Sequence, residues 1–157
     1  MEKKKVLVVF YSRSGITKKV IEHLSQQLQC DVEELIDSKE RSGFWGYMKS
    51  GRDAVKMNLA EIKPIKFNPQ NYDLVIIGTP IWASNMASAV RTYITQNNGK
   101  LKNVALVATM GGGGFERLVE RTAELCGKPL SSSCGLDRKD IKTDKWKEKL
   151  SDFIHKI

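Results

Sequence analysis

Three short stretches of this chain hold residue types from which chemistry could be built. The first is Ser12-Arg-Ser-Gly-Ile-Thr17, which follows the apolar run Val6-Leu-Val-Val-Phe-Tyr11 and leads into a helix-period segment. Gly15 allows a tight turn and a close approach of backbone to a ligand. The hydroxyls of Ser12, Ser14 and Thr17 can donate hydrogen bonds. The amides of residues 13 to 17 lie unpaired at a helix start, where the helix dipole also favours an anion. A phosphate satisfies all of these at once, whereas an ordinary Ser/Thr cap would account for one hydroxyl and not three around a glycine. The stretch has neither the Gly-Lys-Ser/Thr of a P-loop nor a GxGxxG, which argues against nucleoside triphosphates and dinucleotides.

The second stretch is Thr79-Pro-Ile-Trp-Ala-Ser-Asn85. Pro80 stiffens the exit from an apolar run, and Trp82 is expected to face the crevice beyond it with a flat surface on which an aromatic ring could stack. The third is Thr109-Met-Gly-Gly-Gly-Gly-Phe115. Four consecutive glycines pack little and lose much entropy on folding. They make sense where Gly111, Gly112, Gly113 and Gly114 must run beside a flat ligand and offer it their amides.

Competing chemistries find little support. Cys30, Cys126 and Cys134 are widely spaced, form no CxxC pair, and read as reduced thiols. His23 and His155 fall in helical patterns. No metal site, no Ser-His-Asp set and no paired carboxylates stand out, so no side chain is assigned as catalytic. The formal net charge is +8, but cations and anions are interspersed apart from Lys3-Lys4-Lys5 and a Lys-rich tail. Aromatic and basic residues do not interleave as in nucleic-acid modules, so nucleic acid is not expected as a partner. The longest apolar runs fall far short of the ~20 residues of a membrane helix, and a cytoplasmic location is the simplest expectation.

The elements that must position the three stretches alternate strand-like apolar runs with helical stripes, the pattern of a parallel sheet covered on both faces. Strands are expected at Lys5–Tyr11, Asp31–Leu35, Leu74–Gly78, Val104–Ala108 and, most weakly patterned, Leu130–Gly135. Helices are expected at Ile16–Gln29, Ser88–Gln96, Phe115–Cys126 and about Thr143–Lys156. Residues 36–71 are irregular, with one amphipathic helix predicted over Phe44–Met57. Its aromatic cluster Phe44, Trp45 and Tyr47 could close over a ligand, meet a second copy of the chain in a homodimer, or pack on the sheet edge. At 157 residues, with no repeat or linker, a single domain spanning residues 1–157 is expected. In such a sheet all strand carboxyl ends open on one edge, and ligands bind in the crevice there.

Taken together, the apolar strand followed by Ser-x-Ser-Gly-x-Thr, the run Tyr72-Asp-Leu-Val-Ile-Ile-Gly-Thr-Pro-Ile-Trp82 and the glycine-rich third loop resemble the flavodoxin family over essentially the whole chain. The resemblance implies a flavodoxin-like α/β three-layer sandwich, a five-stranded parallel sheet in order 2-1-3-4-5, and FMN at its carboxyl edge. It implies that Ser12, Arg13, Ser14, Gly15, Ile16 and Thr17 hold the FMN phosphate. Thr79, Pro80, Ile81, Trp82, Ala83, Ser84 and Asn85 would line one side of the isoalloxazine. Thr109, Met110, Gly111, Gly112, Gly113 and Gly114 would line the other, with Phe115 nearby. Many electron-carrier flavodoxins are strongly acidic, and this chain is basic. Its third loop offers no Tyr as a second stacking ring, leaving Met110 or bare glycine backbone in that place.

Three functions stay open at this level. One is electron transfer through FMN, to a redox partner protein or a small-molecule electron acceptor. Another is an FMN-dependent NAD(P)H:quinone-type oxidoreductase. The third is a non-redox module that binds a phosphate-bearing ligand.

Overall fold

The computed structural model describes residues 2–38 and 59–157. The predicted helix Phe44–Met57, with its aromatic cluster, lies outside the described residues. Five consecutive apolar residues make β1 (Val6–Phe10). They alternate between faces, Leu7 and Val9 entering one core while Val8 and Phe10 enter the other. This two-sided burial is why the strand reads as a continuous apolar run rather than an alternating one.

The chain continues through α1 (Ile16–Leu28), β2 (Asp31–Glu34), a short 3₁₀ turn (Pro69–Asn71), β3 (Leu74–Trp82), β4 (Asn85–Met86) and α2 (Ser88–Gln96). It ends with β5 (Val104–Met110), α3 (Phe115–Cys126), β6 (Ser133–Asp137), α4 (Arg138–Lys142) and α5 (Lys145–Ile154). The sheet order is β2-β1-β3-β5-β6, with those five strands parallel. This is the expected 2-1-3-4-5 topology once the two-residue β4, which pairs antiparallel with the end of β3, is set aside. One sheet face is covered by Val90, Tyr93 and Ile94 of α2 and Leu118 of α3. The other is covered by Val20, Ile21 and Leu24 of α1 and Trp146, Leu150 and Phe153 of α5. Each such fully buried apolar side chain contributes about 1.5–3 kcal/mol.

Three elements depart from the sequence pattern. β3 runs on past Gly78 to Trp82, because β4 returns alongside and satisfies its last backbone groups. The fifth parallel strand sits at Ser133–Asp137, a few residues later than its pattern suggests, and its Ser-rich start stays at the surface. The expected C-terminal helix is α5, and a short helix that the pattern did not suggest, α4, precedes it. Asp137 and Asp140 form a capping box that starts α4 early, and Asp144 in the left-handed conformation (φ 57°) separates α4 from α5. Among the described residues, no helix is long and apolar enough to cross a membrane.

Gly78 marks where helix and sheet are closest. A Cβ there would lie 2.7 Å from Ile21 Cδ1 and 2.9 Å from Phe10 Cβ. Gly78→Ala is therefore expected to cost about 1–3 kcal/mol through overpacking. The check is a lowered midpoint of chemical unfolding at unchanged slope.

Candidate functional site

The first loop leaves β1 and enters α1 through Gly15, whose φ of 94° is left-handed and suits glycine. Gly15 has no side chain with which to cap the helix, and Ser12 does part of that work: its Oγ accepts from the Gly15 and Lys18 amides at 3.1 and 3.2 Å. The amides of Ser14, Ile16 and Thr17 have no partner among the described residues. Ser14, Gly15 and Ile16 are exposed. The loop thus presents open amides at the positive end of α1, the arrangement an anion needs. Thr17 plays a second role. Its hydroxyl is buried and hydrogen-bonded at 2.8 Å to Thr109 Oγ1, so of the two hydroxyl protons in this pair one is used between them and one can be given elsewhere.

The second loop is a hairpin. Ile81 and Trp82 pair with Met86 and Asn85, leaving Ala83 and Ser84 as a two-residue turn with φ of 50° and 59°. Both central residues are left-handed, as in a type I′ turn, which normally prefers glycine or asparagine. Side chains there cost roughly 1–3 kcal/mol each and persist only where the surroundings hold them. The surroundings do so. Arg121 donates to the Ser84 carbonyl at 3.1 Å, and Arg91 donates to Asn85 Oδ1 at 2.6 Å. Thr79 is wholly committed at the hairpin base, giving its proton to the Pro80 carbonyl and accepting from the Ala87 amide. Trp82 is only 8% exposed; its ring meets Tyr11 edge-on, with centroids 5.5 Å apart, and joins the core on the α2 and α3 side. The structure therefore packs most of this ring against protein, where the sequence led us to expect it facing the crevice.

In the third loop a Cβ on Gly111 would lie 3.4 Å from the Arg138 guanidinium, and the other three glycines divide into two kinds. Gly114, the N-cap of α3, has φ of 104°, and a Cβ on it would come within 2.9 Å of Ser84 Oγ. The fold itself requires that glycine. Gly112 and Gly113 carry no left-handed φ, and a Cβ on either would meet no neighbour within 4 Å. Nothing in the protein demands their bareness, which leaves open space beside exposed backbone. Met110 turns inward, its Cε near Gly135, and Phe115 packs over the same glycine. Bare backbone, rather than Met110, thus faces out from this loop.

The three loops touch one another. The Thr17–Thr109 bond ties the first to the third, the Gly114–Ser84 contact ties the third to the second, and Tyr11 against Trp82 ties the strand before the first to the second. The result is one crevice wall with open amides at its α1 end and bare glycine backbone at its α3 end. That combination fits a ligand with a phosphate and a flat ring. Arg91 and Arg121 are the residues that spacing did not single out. Arg91 is a lone cation in a helix whose neighbours Ala89, Val90, Tyr93 and Ile94 are buried, and that was its only signal. Burial, then the nearby Arg121 charge, hold its guanidinium below the usual arginine range. The thiols Cys30, Cys126 and Cys134 lie outside the three loops, and burial pushes each up to about 11, so none is poised as a nucleophile. Among the described residues, no group of His, Cys, Asp and Glu could hold a metal ion.

Comparison with known proteins bears on the fold and the family. Residues 5–156 match a family model described as flavodoxin. A flavoprotein of Lactobacillus acidophilus, solved in complex with FMN, superposes with a TM-score of 0.73 at 26% identity, covering 92% of this chain and 99% of that one. A structure from Bacteroides eggerthii described as a flavoprotein gives 0.73 at 25% identity, covering 95% and 99%. The Trp repressor binding protein of Bacillus subtilis shares the fold at 16% identity, with a TM-score of 0.61 and coverage of 94% and 95%.

The division among the glycines is testable by stability alone. Gly114→Ala is expected to lose about 1–3 kcal/mol, from left-handed strain and contact with Ser84. Gly112→Ala is expected to unfold within ~0.5 kcal/mol of the unsubstituted protein. Equal losses in thermal unfolding would contradict the assignment.

Proposed function

This chain belongs to the flavodoxin family, and we propose that it is an FMN-dependent electron-transfer protein. Loop 12–17 would take the cofactor's phosphate, and loops 79–85 and 109–115 would border its ring. The observation that carries the reading is the pair Gly112 and Gly113, open and unrequired by the fold, on the same wall as the amides of Ser14, Ile16 and Thr17, which have no partner among the described residues. When bound, FMN supplies the redox chemistry, which no side chain at the site can supply. The protein's part is to bind, orient and tune. Amides at the start of α1 meet the phosphate's charge, Ser12 keeps the loop folded, and the Thr17–Thr109 bond keeps the first and third loops at fixed separation. The amides of the glycine run and of the Ala83–Asn85 turn are the candidate donors to the ring's polar edge.

A second reading, an oxidoreductase that takes electrons directly from NAD(P)H and passes them to a small acceptor such as a quinone, is favoured by the net charge of +8. A basic surface does not match the acidic type of carrier. Positive surroundings also favour the more negatively charged, reduced cofactor over the oxidised one. The second reduction step is therefore expected at a less negative potential than in an acidic carrier, and a spectroelectrochemical titration reads it directly.

The purified protein is expected to be yellow, with a visible flavin spectrum and one FMN per chain. Apoprotein should quench FMN fluorescence on titration. Gly112→Ala should weaken FMN binding by about tenfold or more, at unchanged unfolding midpoint, because a methyl enters the space beside the ring. Bleaching under anaerobic NAD(P)H, with turnover of a quinone, selects the reductase. A flavin spectrum that NAD(P)H leaves unchanged selects the carrier. A colourless protein that leaves FMN fluorescence unaltered would select the non-redox phosphate-binding module.

A further inference from the structure

Arg91 of α2 and Arg121 of α3 reach the same β3–β4 hairpin from neighbouring helices. Arg91 donates to Asn85 Oδ1 at 2.6 Å, and Arg121 donates to the Ser84 carbonyl at 3.1 Å. Each guanidinium has five N–H donors, and each uses one of them on a protein acceptor among the described residues. Neither forms an ion pair there; the described ion pairs are Lys18–Glu34 and Lys149–Asp140. Both hydrogen bonds are partly buried, so two like charges sit side by side in a medium that screens them less than water does. The exposed lysines of this basic chain cost little because solvent surrounds them. Arg91 is different: burial and, after it, the nearby Arg121 charge both disfavour its charged form. An arrangement of that kind is relieved by an anion between or across the two forks, which bind carboxylate, phosphate and sulfonate groups with two parallel hydrogen bonds.

We propose that Arg91 and Arg121 form an oxyanion-recognition site beside the Ala83–Ser84 turn, and that it holds the anionic group of a small-molecule redox partner while the rest of that molecule lies against the cofactor. The inference rests on the flavin reading above for its redox partner, but the anion site itself stands on the two guanidiniums and the lack of a counter-charge on them among the described residues. A phosphate on a nicotinamide-type donor and an acidic group on a small acceptor share the required chemistry. An acidic partner protein would use the same charges over a broader face, and would not need two forks on one hairpin.

The test is equilibrium binding to the oxidised FMN-loaded protein at low ionic strength, with two matched pairs of probes. Anthraquinone-2-sulfonate is set against the neutral 2-(hydroxymethyl)anthraquinone, and adenosine 2′,5′-bisphosphate against adenosine 5′-monophosphate. At least one pair is expected to show about a tenfold preference for the more anionic member, declining as salt rises. In the double variant Arg91→Gln/Arg121→Gln that preference should shrink to within about twofold and lose its salt dependence, and Arg91→Lys/Arg121→Lys should recover part of it. The responding pair distinguishes donor from acceptor.

If the arginines only brace the turn, the double variant weakens both members of a pair alike and leaves the ratio unmoved, which overturns the proposal. A wild-type protein that prefers neither anion, as an acidic-protein docking face would give, also overturns it. FMN titration of the same samples keeps the two readings apart. Arginine-dependent anion preference in a protein that takes no FMN would remove the flavin and leave the site, while normal FMN binding without that preference would remove the site and leave the flavin.

Discussion

Because β1, β3 and β5 pair in parallel, with Phe10 opposite Gly78 and Gly78 opposite Val107, their carboxyl ends leave the sheet at nearly one level. Every feature of the crevice follows from that register. A slip of one residue along β3 would exchange its two faces, sending Val75 and Ile77 to the wrong core and moving the Trp82 hairpin away from Tyr11. The two cores on either side of the sheet hold the register in place, and Gly78 is the position where that packing leaves no room for a methyl group.

Against this rigid background the edge accumulates conformations that cost free energy. Gly15 and Gly114 start their helices in the left-handed region without a capping side chain of their own. Ala83 and Ser84 are left-handed without being glycine. The cost is met from different directions: by Ser12 at the first loop, by Asn85, Arg91 and Arg121 at the second, and by the fit of Gly114 against Ser84 at the third. Strained residues braced by their neighbours, as Ala83 and Ser84 are, suit a preorganised ligand site. The other left-handed residues among those described, Gln29, Gly99, Gly127 and Asp144, lie at helix ends and junctions.

The charge distribution bears on use rather than on fold. Family membership places the flavin chemistry in the cofactor, so what distinguishes this chain lies in the groups around it. The brace of two arginines on the second loop gives positive charge close to the turn, in addition to the diffuse charge of the surface. Such local charge acts both on the cofactor's preferred redox state and on the sign of the molecule that approaches it.

The sequence by itself determined the architecture and the three loops. Runs such as Val6–Phe10 and Val104–Ala108 are apolar throughout because both faces are buried, and that pattern is local and unambiguous. Ser12 to Thr17 and Gly111 to Gly114 were legible for the same reason, since turn chemistry and helix starts are written in adjacent residues. The tertiary structure decided what depends on residues distant in the chain. It placed Trp82 edge-on to Tyr11, bonded Thr17 to Thr109 across 92 positions, and turned Met110 inward to Gly135. It separated the glycine that packing requires from the two it does not, and it brought Arg91 and Arg121 to one hairpin. Periodicity reports which face of an element is buried. Which side chains meet depends on how helices on one sheet face pack beside each other, and that is fixed only once the whole sheet has formed.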